Sequence, residues 1–426
     1  MSQPRTRTGE RPRDAFCGAV ERCAKFGVTL ALVAATCAQA ATLTTIDTGP
    51  VAGQPSLEIG ADGLPVIAYR TLGNKLRVAK CGNWDCTDVM RIELTGTYFT
   101  TAHFSLAITP NGFPGIAFQD SVDRRLDVVR CATDDCTGGG HSFFTIDAGP
   151  NDVGAHVDWA FGPDNRAAFA YRDFTAGTLE LARCVTPACT SVDIETVDGG
   201  GQVTSGDFAA LAFGGRADPF VSSQWSNLSG ASDLIGVHAF DCSVAPCSAA
   251  QETVYYQVNT PAGVGQDMAI GTDDLPVFSH IGYAEPILLF GRCDAPDCSG
   301  NNSAVVLDDG DFALGLDDST SIGVRPDGRP VIAFQRQSAT IPPFTALYVV
   351  ECETATCQSF ETVLIERSTD NLVTGIDADL AIDGDGAAVI AYFDQSALAI
   401  KLARCSREGC EGPGDRLFTD GFEGAP

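Results

Sequence analysis

Ser56-Leu-Glu-Ile-Gly-Ala-Asp-Gly-Leu-Pro-Val-Ile-Ala-Tyr69 returns in the same chain as Ser105-Leu-Ala-Ile-Thr-Pro-Asn-Gly-Phe-Pro-Gly-Ile-Ala-Phe118 and as Ser321-Ile-Gly-Val-Arg-Pro-Asp-Gly-Arg-Pro-Val-Ile-Ala-Phe334. Each copy reads as a short apolar strand, an Asp-Gly or Asn-Gly turn, and a β-branched strand ending on an aromatic ring. A third strand runs into a cysteine, as in Leu76-Arg-Val-Ala-Lys-Cys81 and Leu179-Glu-Leu-Ala-Arg-Cys184, and a fourth follows, such as Ser191-Val-Asp-Ile-Glu-Thr-Val197. Four antiparallel strands per copy make a propeller blade.

The cysteines count the copies. After residue 40 they fall into pairs with four residues between: Cys81/Cys86, Cys131/Cys136, Cys184/Cys189, Cys242/Cys247, Cys293/Cys298, Cys352/Cys357 and Cys405/Cys410. Successive pairs start 50, 53, 58, 51, 59 and 53 residues apart, a period at which blades recur. Zinc sites need a second pair or histidines nearby, whereas these pairs stand a blade apart, so each is expected to close a local disulfide that brackets the turn into the fourth strand. The last copy lacks an outer strand, and Thr42-Leu-Thr-Thr-Ile-Asp-Thr-Gly-Pro50 resembles the outer strand of copy two, Phe144-Thr-Ile-Asp-Ala-Gly-Pro150. The sequence therefore predicts an all-β, seven-bladed propeller of four-stranded antiparallel blades, the last closed by the N-terminal strand, which leaves no open edge at the join.

Ahead of the repeats, Arg5, Arg7, Arg11, Arg13, Arg22 and Lys25 precede an apolar run from Phe26 to Ala35 and then Ala38-Gln39-Ala40. That order reads as a signal peptide over 1–40, and its apolar run is too short to span a membrane as a helix. The propeller is expected over 41–413, with a flexible tail over 414–426. The export reading places the protein outside the cytoplasm, secreted or at the cell surface, with no transmembrane segment in the mature chain. The formal charge of -28 becomes -31 when cleavage removes six basic and three acidic residues. Such a field repels phosphates, which excludes a nucleic-acid partner and leaves a glycan or protein partner for a monomer.

The repeats resemble those of secreted bacterial β-propellers that carry an Asp-Gly-x-Pro-x-Ile-x-Tyr strand pair and a Cys-x4-Cys hairpin, here Asp62-Gly-Leu-Pro-Val-Ile-Ala-Tyr69 and Cys81-Gly-Asn-Trp-Asp-Cys86. The resemblance covers roughly residues 42 to 410 and implies fold and export, not function. Similarity to sialidase-like propellers is distant: their Ser-x-Asp-x-Gly-x-Thr-Trp turn is absent, so none of their site roles transfers to a residue of this chain.

Superposed copies bring the residues just beyond the second strand to one end of the ring. Asp120, Asp173 and Asp394 there are candidate acid/base residues, and Arg70, His103, His156, Arg172 and Arg336 candidate ligand-binding residues. Each has a plainer reading as a turn cap or rim ion pair. No cofactor is expected. Asp383-Gly-Asp-Gly386 and Asp308-Asp-Gly-Asp311 lack the EF-hand order, so calcium held by loop carboxylates stands only as an alternative. With no reaction signature in view, the sequence favours a non-enzymatic recognition module of unknown ligand over its alternative, a polysaccharide-acting hydrolase or lyase at one end of the channel.

Overall fold

The computed structural model describes residues 41–94, 100–227, 234–243, 247, 253–258, 262–282, 287–295, 298–300, 302–308, 319–337, 344–368 and 373–410. They form seven four-stranded antiparallel sheets. Blade 1 runs Val51–Ile59, Pro65–Thr71, Leu76–Cys81 and Val89–Glu93 from inner to outer strand, and each later blade repeats that order. Blade 7 takes Ile376–Ile382, Ala388–Asp394 and Ala399–Arg404 from the end of the chain and its outer strand, Thr42–Asp47, from the beginning, with Thr42 opposite Arg404. Each inner strand packs on the next and the seventh packs on the first, closing the ring. The proposed signal peptide over 1–40 and the tail over 414–426 lie outside the described residues. Among those described, no helix is long and apolar enough to cross a membrane.

The core follows from the alternation of the strands. Side chains on the two faces of each sheet meet those of its neighbours, so apolar residues gather into seven clusters, one at each blade interface. The aromatic ring near the end of the second strand is fully buried in Tyr69, Tyr171, Phe334 and Tyr392. Burial of such a ring contributes about 1.5–3 kcal/mol, and a buried phenol must also find an acceptor. Tyr171 donates to Asp147 at 2.7 Å and Tyr392 to Glu366 at 2.7 Å, in each case an acid on the outer strand of the preceding blade.

All seven expected disulfides are present. In five of them the second cysteine, Cys86, Cys136, Cys189, Cys298 or Cys357, takes a left-handed backbone, a conformation that costs energy outside glycine and that the covalent bond helps to hold. The same five cysteines each donate their N–H to the carbonyl three residues earlier, which closes the turn on itself. Cys247 is bonded to Cys242 as the spacing predicts, and its N–H crosses to blade 3, where Glu195 Oε2 accepts it at 2.8 Å. Glu195 lies on the outer strand of blade 3, Val192–Gly199, and its other oxygen takes the Arg183 guanidinium. A carboxylate is a stronger acceptor than a backbone carbonyl, so this staple is tied to the neighbouring blade as well as to its own.

Candidate functional site at the channel mouth

A polar belt rings the axis. The residue three places before the end of the inner-strand pairing, or two in blade 4, is Ser56, Ser105, Asp158, Ala210, Asp267, Ser321 or Asp379 in blades 1 to 7, opposite Ala68, Ala117, Ala170, Ser222, Ser279, Ala333 and Ala391. The inner strand has no further strand to pair with, so its N–H groups need other acceptors. The belt supplies them across the interfaces: Ser56 accepts from Leu106 N, Asp158 from Leu211 N, Asp267 from Ile322 N, Ser321 from Leu380 N and Asp379 from Leu57 N. Ala210 offers no oxygen, and Ser105 turns its hydroxyl to Asp158. Accordingly Asp267 caps Met268 N, and Asp158 caps Trp159 N, with their own remaining oxygens.

Proton counting fixes the state of one part of this belt. Ser321 Oγ accepts the Leu380 N–H at 3.0 Å and stands 3.1 Å from Asp267 Oδ2 and 3.2 Å from Asp379 Oδ1. A hydroxyl has one proton to give, so both contacts are satisfied only when one of the two carboxyls is itself protonated. Burial pushes Asp267 up to about 7 and Asp379 up to about 6, reinforced by the neighbouring Asp158 carboxylate. Asp158 is also raised by burial.

Two residues further along blade 1, Glu58 occupies a register that is Ala107, Ala160, Ala212, Ala269, Gly323 and Ala381 in the other blades. Burial and the carboxylates of Asp379 and Asp158 push it up to about 8. Three of these acids, Asp158, Asp267 and Asp379, line a cavity of about 260 Å³ on the axis, whose wall also includes Gln54, His156 and Phe208.

Those last three residues stand two places before the belt, where the pairing with the second strand shifts by a bulge. Their φ values are 56°, 49° and 50°, and Asp377 in blade 7 has 49°. In blade 5 the place is taken by Gly265, which adopts this backbone at no steric cost. Left-handed backbone at an imidazole and at a phenylalanine stores strain at the rim and aims both rings at the cavity. The rings of His156 and Phe208 meet with centroids 5.0 Å apart.

Asp207, next to Phe208, joins two of the sequence candidates. Its Oδ1 lies 3.2 Å from His156 Nε2 and takes a hydrogen bond from the Arg172 guanidinium. Burial alone would raise the Asp207 carboxyl, but His156 and Arg172 outweigh it and hold it below the usual carboxylate range. Arg172 also lies over the exposed ring of Phe174, 5.0 Å from its centroid.

The remaining candidates stand apart. Asp120 accepts from Val122 N and Asp123 N, Asp173 from Ala176 N and Asn151, and Asp394 from Ala397 N and Lys401. Arg336 pairs with Asp308 at 3.2 Å. Arg70 has no hydrogen-bond or ion-pair partner among the described residues, and its buried Nε is unpaired. The side chain of His103 lies outside the described residues. Asp383 caps the hairpin of blade 7, accepting from Asp385 N and Ala387 N and from Arg404. One compact group of metal-type donors is found among the described residues, Glu351 with the sulfurs of Cys405 and Cys410, within 4.8 Å of one another. The two sulfurs are bonded to each other and Glu351 is held by Arg325 and Cys410 N, so ligation there would require the disulfide to be reduced.

Sequence reasoning missed Asp158, Asp267, Asp379, Glu58 and Asp207. The belt and Glu58 carry a signal once the copies are stacked in register. Asp207 lies in the least regular copy and carries none.

No protein family and no curated relative matches the sequence. Solved structures do match in fold. The polysaccharide lyase Uly1 superposes with a TM-score of 0.50 at 8% identity, over 83% of this chain and 89% of that one. A mutant of the α-L-arabinofuranosidase Arb93a from Fusarium graminearum, in complex with an iminosugar inhibitor, gives 0.50 at 10% identity, over 87% and 98%. At these identities the likeness is one of fold. It nevertheless corrects the sequence-based preference for a non-enzymatic module, because similar propellers include two carbohydrate-cleaving enzymes. The missing reaction signature also loses its force, since the perturbed carboxyls and the His156–Asp207 pair are assembled from different blades and leave no linear motif.

Proposed function

We propose that the protein cleaves a polysaccharide at the mouth of the propeller channel, as a hydrolase or lyase. The observation that carries this reading is the pairing of His156 Nε2 with Asp207 Oδ1 at 3.2 Å on the rim of a cavity lined by acids with raised proton affinity. An imidazole oriented by a carboxylate is a proton-transfer group that works near neutral pH. In a lyase, His156 takes the proton from the carbon beside a sugar carboxylate, the freed electron pair forms a ring double bond and the glycosidic oxygen leaves with a proton from solvent; in a hydrolase, it gives a proton to the leaving oxygen while water adds to the anomeric carbon. Asp207 is a positioning residue that fixes the ring, and Arg172 holds Asp207 ionised.

The test is a screen of neutral and acidic polysaccharides that scores bound and released chains together. Unsaturated ends mark a lyase, and saturated reducing ends a hydrolase. His156→Gln is expected to lower kcat by at least ~100-fold, the scale of a lost general acid or base, and Asp207→Asn to lower it less while shifting the pH profile. Saturable binding with no product from any glycan would overturn the enzymatic reading.

A further inference from the structure

Two arginines occupy the same place in blades 1 and 3, and among the described residues only one of them meets a carboxylate. Arg172 stands two residues past Ala170, the partner of the belt residue Asp158, and Arg70 stands two residues past Ala68, the partner of Ser56. Both lie opposite the bulge of their own inner strand, Arg172 against Ala155 and Arg70 against Gly53, beside the cavity-lining His156 and Gln54. The difference comes from the following blade. Three residues before Ala210 of blade 4 is Asp207, which takes the Arg172 guanidinium; three residues before Ser105 of blade 2 is Ala102. Arg172 is therefore spent on a carboxylate of its own chain, and Arg70 meets none among the described residues. Among the rim arginines Arg336 is also paired, with Asp308 at 3.2 Å.

A guanidinium whose Nε is buried with no partner among the described residues keeps hydrogen-bonding capacity that an incoming oxyanion can take up through the same planar group. Its planar fork matches a carboxylate or sulfate in bidentate fashion. We propose that Arg70 is the anion anchor of the channel-mouth site, so that the glycan cleaved there carries a carboxylate or sulfate group on the sugar seated against blade 1. This rests on the proposed polysaccharide-cleaving function and names its substrate class. The net charge of -28 does not oppose it at close range: fields from carboxylates more than about 8 Å away are screened at physiological salt.

The experiment uses the full chain and three probes built on one backbone: a polyuronate oligosaccharide, its carboxyl-reduced counterpart, and the reduced form carrying sulfate. The wild type is expected to bind at least one anionic probe ten-fold or more tightly than the neutral one, and which anion gains identifies the group. Arg70→Gln is expected to bring the anionic and neutral dissociation constants together. Ala102→Asp should do the same with the arginine in place, by giving Arg70 the internal partner that Arg172 already has, and melting curves of both variants confirm the fold. Equal affinities for all three probes in the wild type, or a charge preference that survives both substitutions, would overturn the anchor. Turnover without charge preference removes the anchor and leaves the cleavage reading standing; a charge preference that Arg70→Gln erases, with no turnover of any glycan, keeps the anchor and removes cleavage.

Discussion

Asp47 Oδ2 lies 2.8 Å from Tyr69 Oη, which ties the first strand of the chain to the second strand of blade 1. The same oxygen takes a hydrogen bond from Arg77 at 2.7 Å, and Oδ1 accepts from Gly49 N. Burial alone would raise the Asp47 carboxyl, but Arg77, Tyr69 and Gly49 together hold it below its ordinary value of 3.8. Asp47→Ala leaves a buried phenol and a half-buried guanidinium without their acceptor and is expected to cost about 2–4 kcal/mol. Deleting residues 41–49 should cost far more than deleting 415–426, because it strips the outer strand from blade 7. Melting curves of the three variants check this, and equal Tm values for the first deletion and the parent chain would refute strand-mediated closure. The Asp47 contribution is present at neutral pH and is lost as pH falls below 3.8 toward its depressed folded value.

The channel acids give the opposite pH dependence. Ordinary carboxyls titrate at 3.8 for Asp and 4.5 for Glu, whereas burial pushes Asp379, Asp267 and Glu58 up to about 6, 7 and 8. Between those limits the folded chain holds protons that the unfolded chain releases, so these groups destabilise the fold increasingly as pH rises through their folded values. Tm is therefore expected to decline from about pH 5 to about pH 9. Glu58→Ala, which gives blade 1 the residue most other blades carry, should raise stability at the alkaline end by on the order of 1–2 kcal/mol and change little at the acid end. A Tm that is flat across the range, or an unaltered profile in Glu58→Ala, would show that the channel acids ionise freely in the fold.

Asp120, Asp173 and Asp394 each spend an oxygen on N–H groups of the turn that follows the second strand. Replacing one by Asn keeps its size but weakens a charge-assisted cap, which is worth about 1 kcal/mol. The expected outcome is a Tm lowered by a few degrees, with the rate of any glycan cleavage following the loss of fold. A rate that collapses while Tm stays level would assign that residue the acid/base role.

The fold was legible because each local signal recurs seven times. The Asp-Gly turn between Ile59 and Pro65, the cysteine pair at Cys81 and Cys86, and the resemblance of Thr42–Asp47 to an outer strand each pointed to the same ring. Spacing also announced the Cys242–Cys247 bond, but not where the Cys247 N–H goes, because its acceptor, Glu195, belongs to another copy. The site was less legible, because a propeller assembles it from one or two residues per blade. His156 and Arg172 could be placed at one end by superposing copies, but Asp207, which joins them, sits in the following blade after an irregular stretch. Nothing in a single repeat distinguishes Asp120, bound to its own turn, from Asp267, which faces the axis. That difference arises only when inner strands of neighbouring blades lie side by side and one offers an N–H to the other.

Thr42 is paired with Arg404, so the strand that precedes every other strand of the seven blades is among the last to find its partner. Until the third strand of blade 7 exists, Thr42–Asp47 has no sheet to join, and Ile46 and Asp47 have no finished interface in which to bury. The ring therefore cannot be completed progressively during synthesis: six blades are able to assemble in order, while the seventh waits for the whole chain. Long-range pairing of this kind makes closure slow and leaves an unpaired strand exposed in the meantime. The Thr42–Asp47 strand governs the time the molecule spends open to aggregation as well as the stability it reaches once shut.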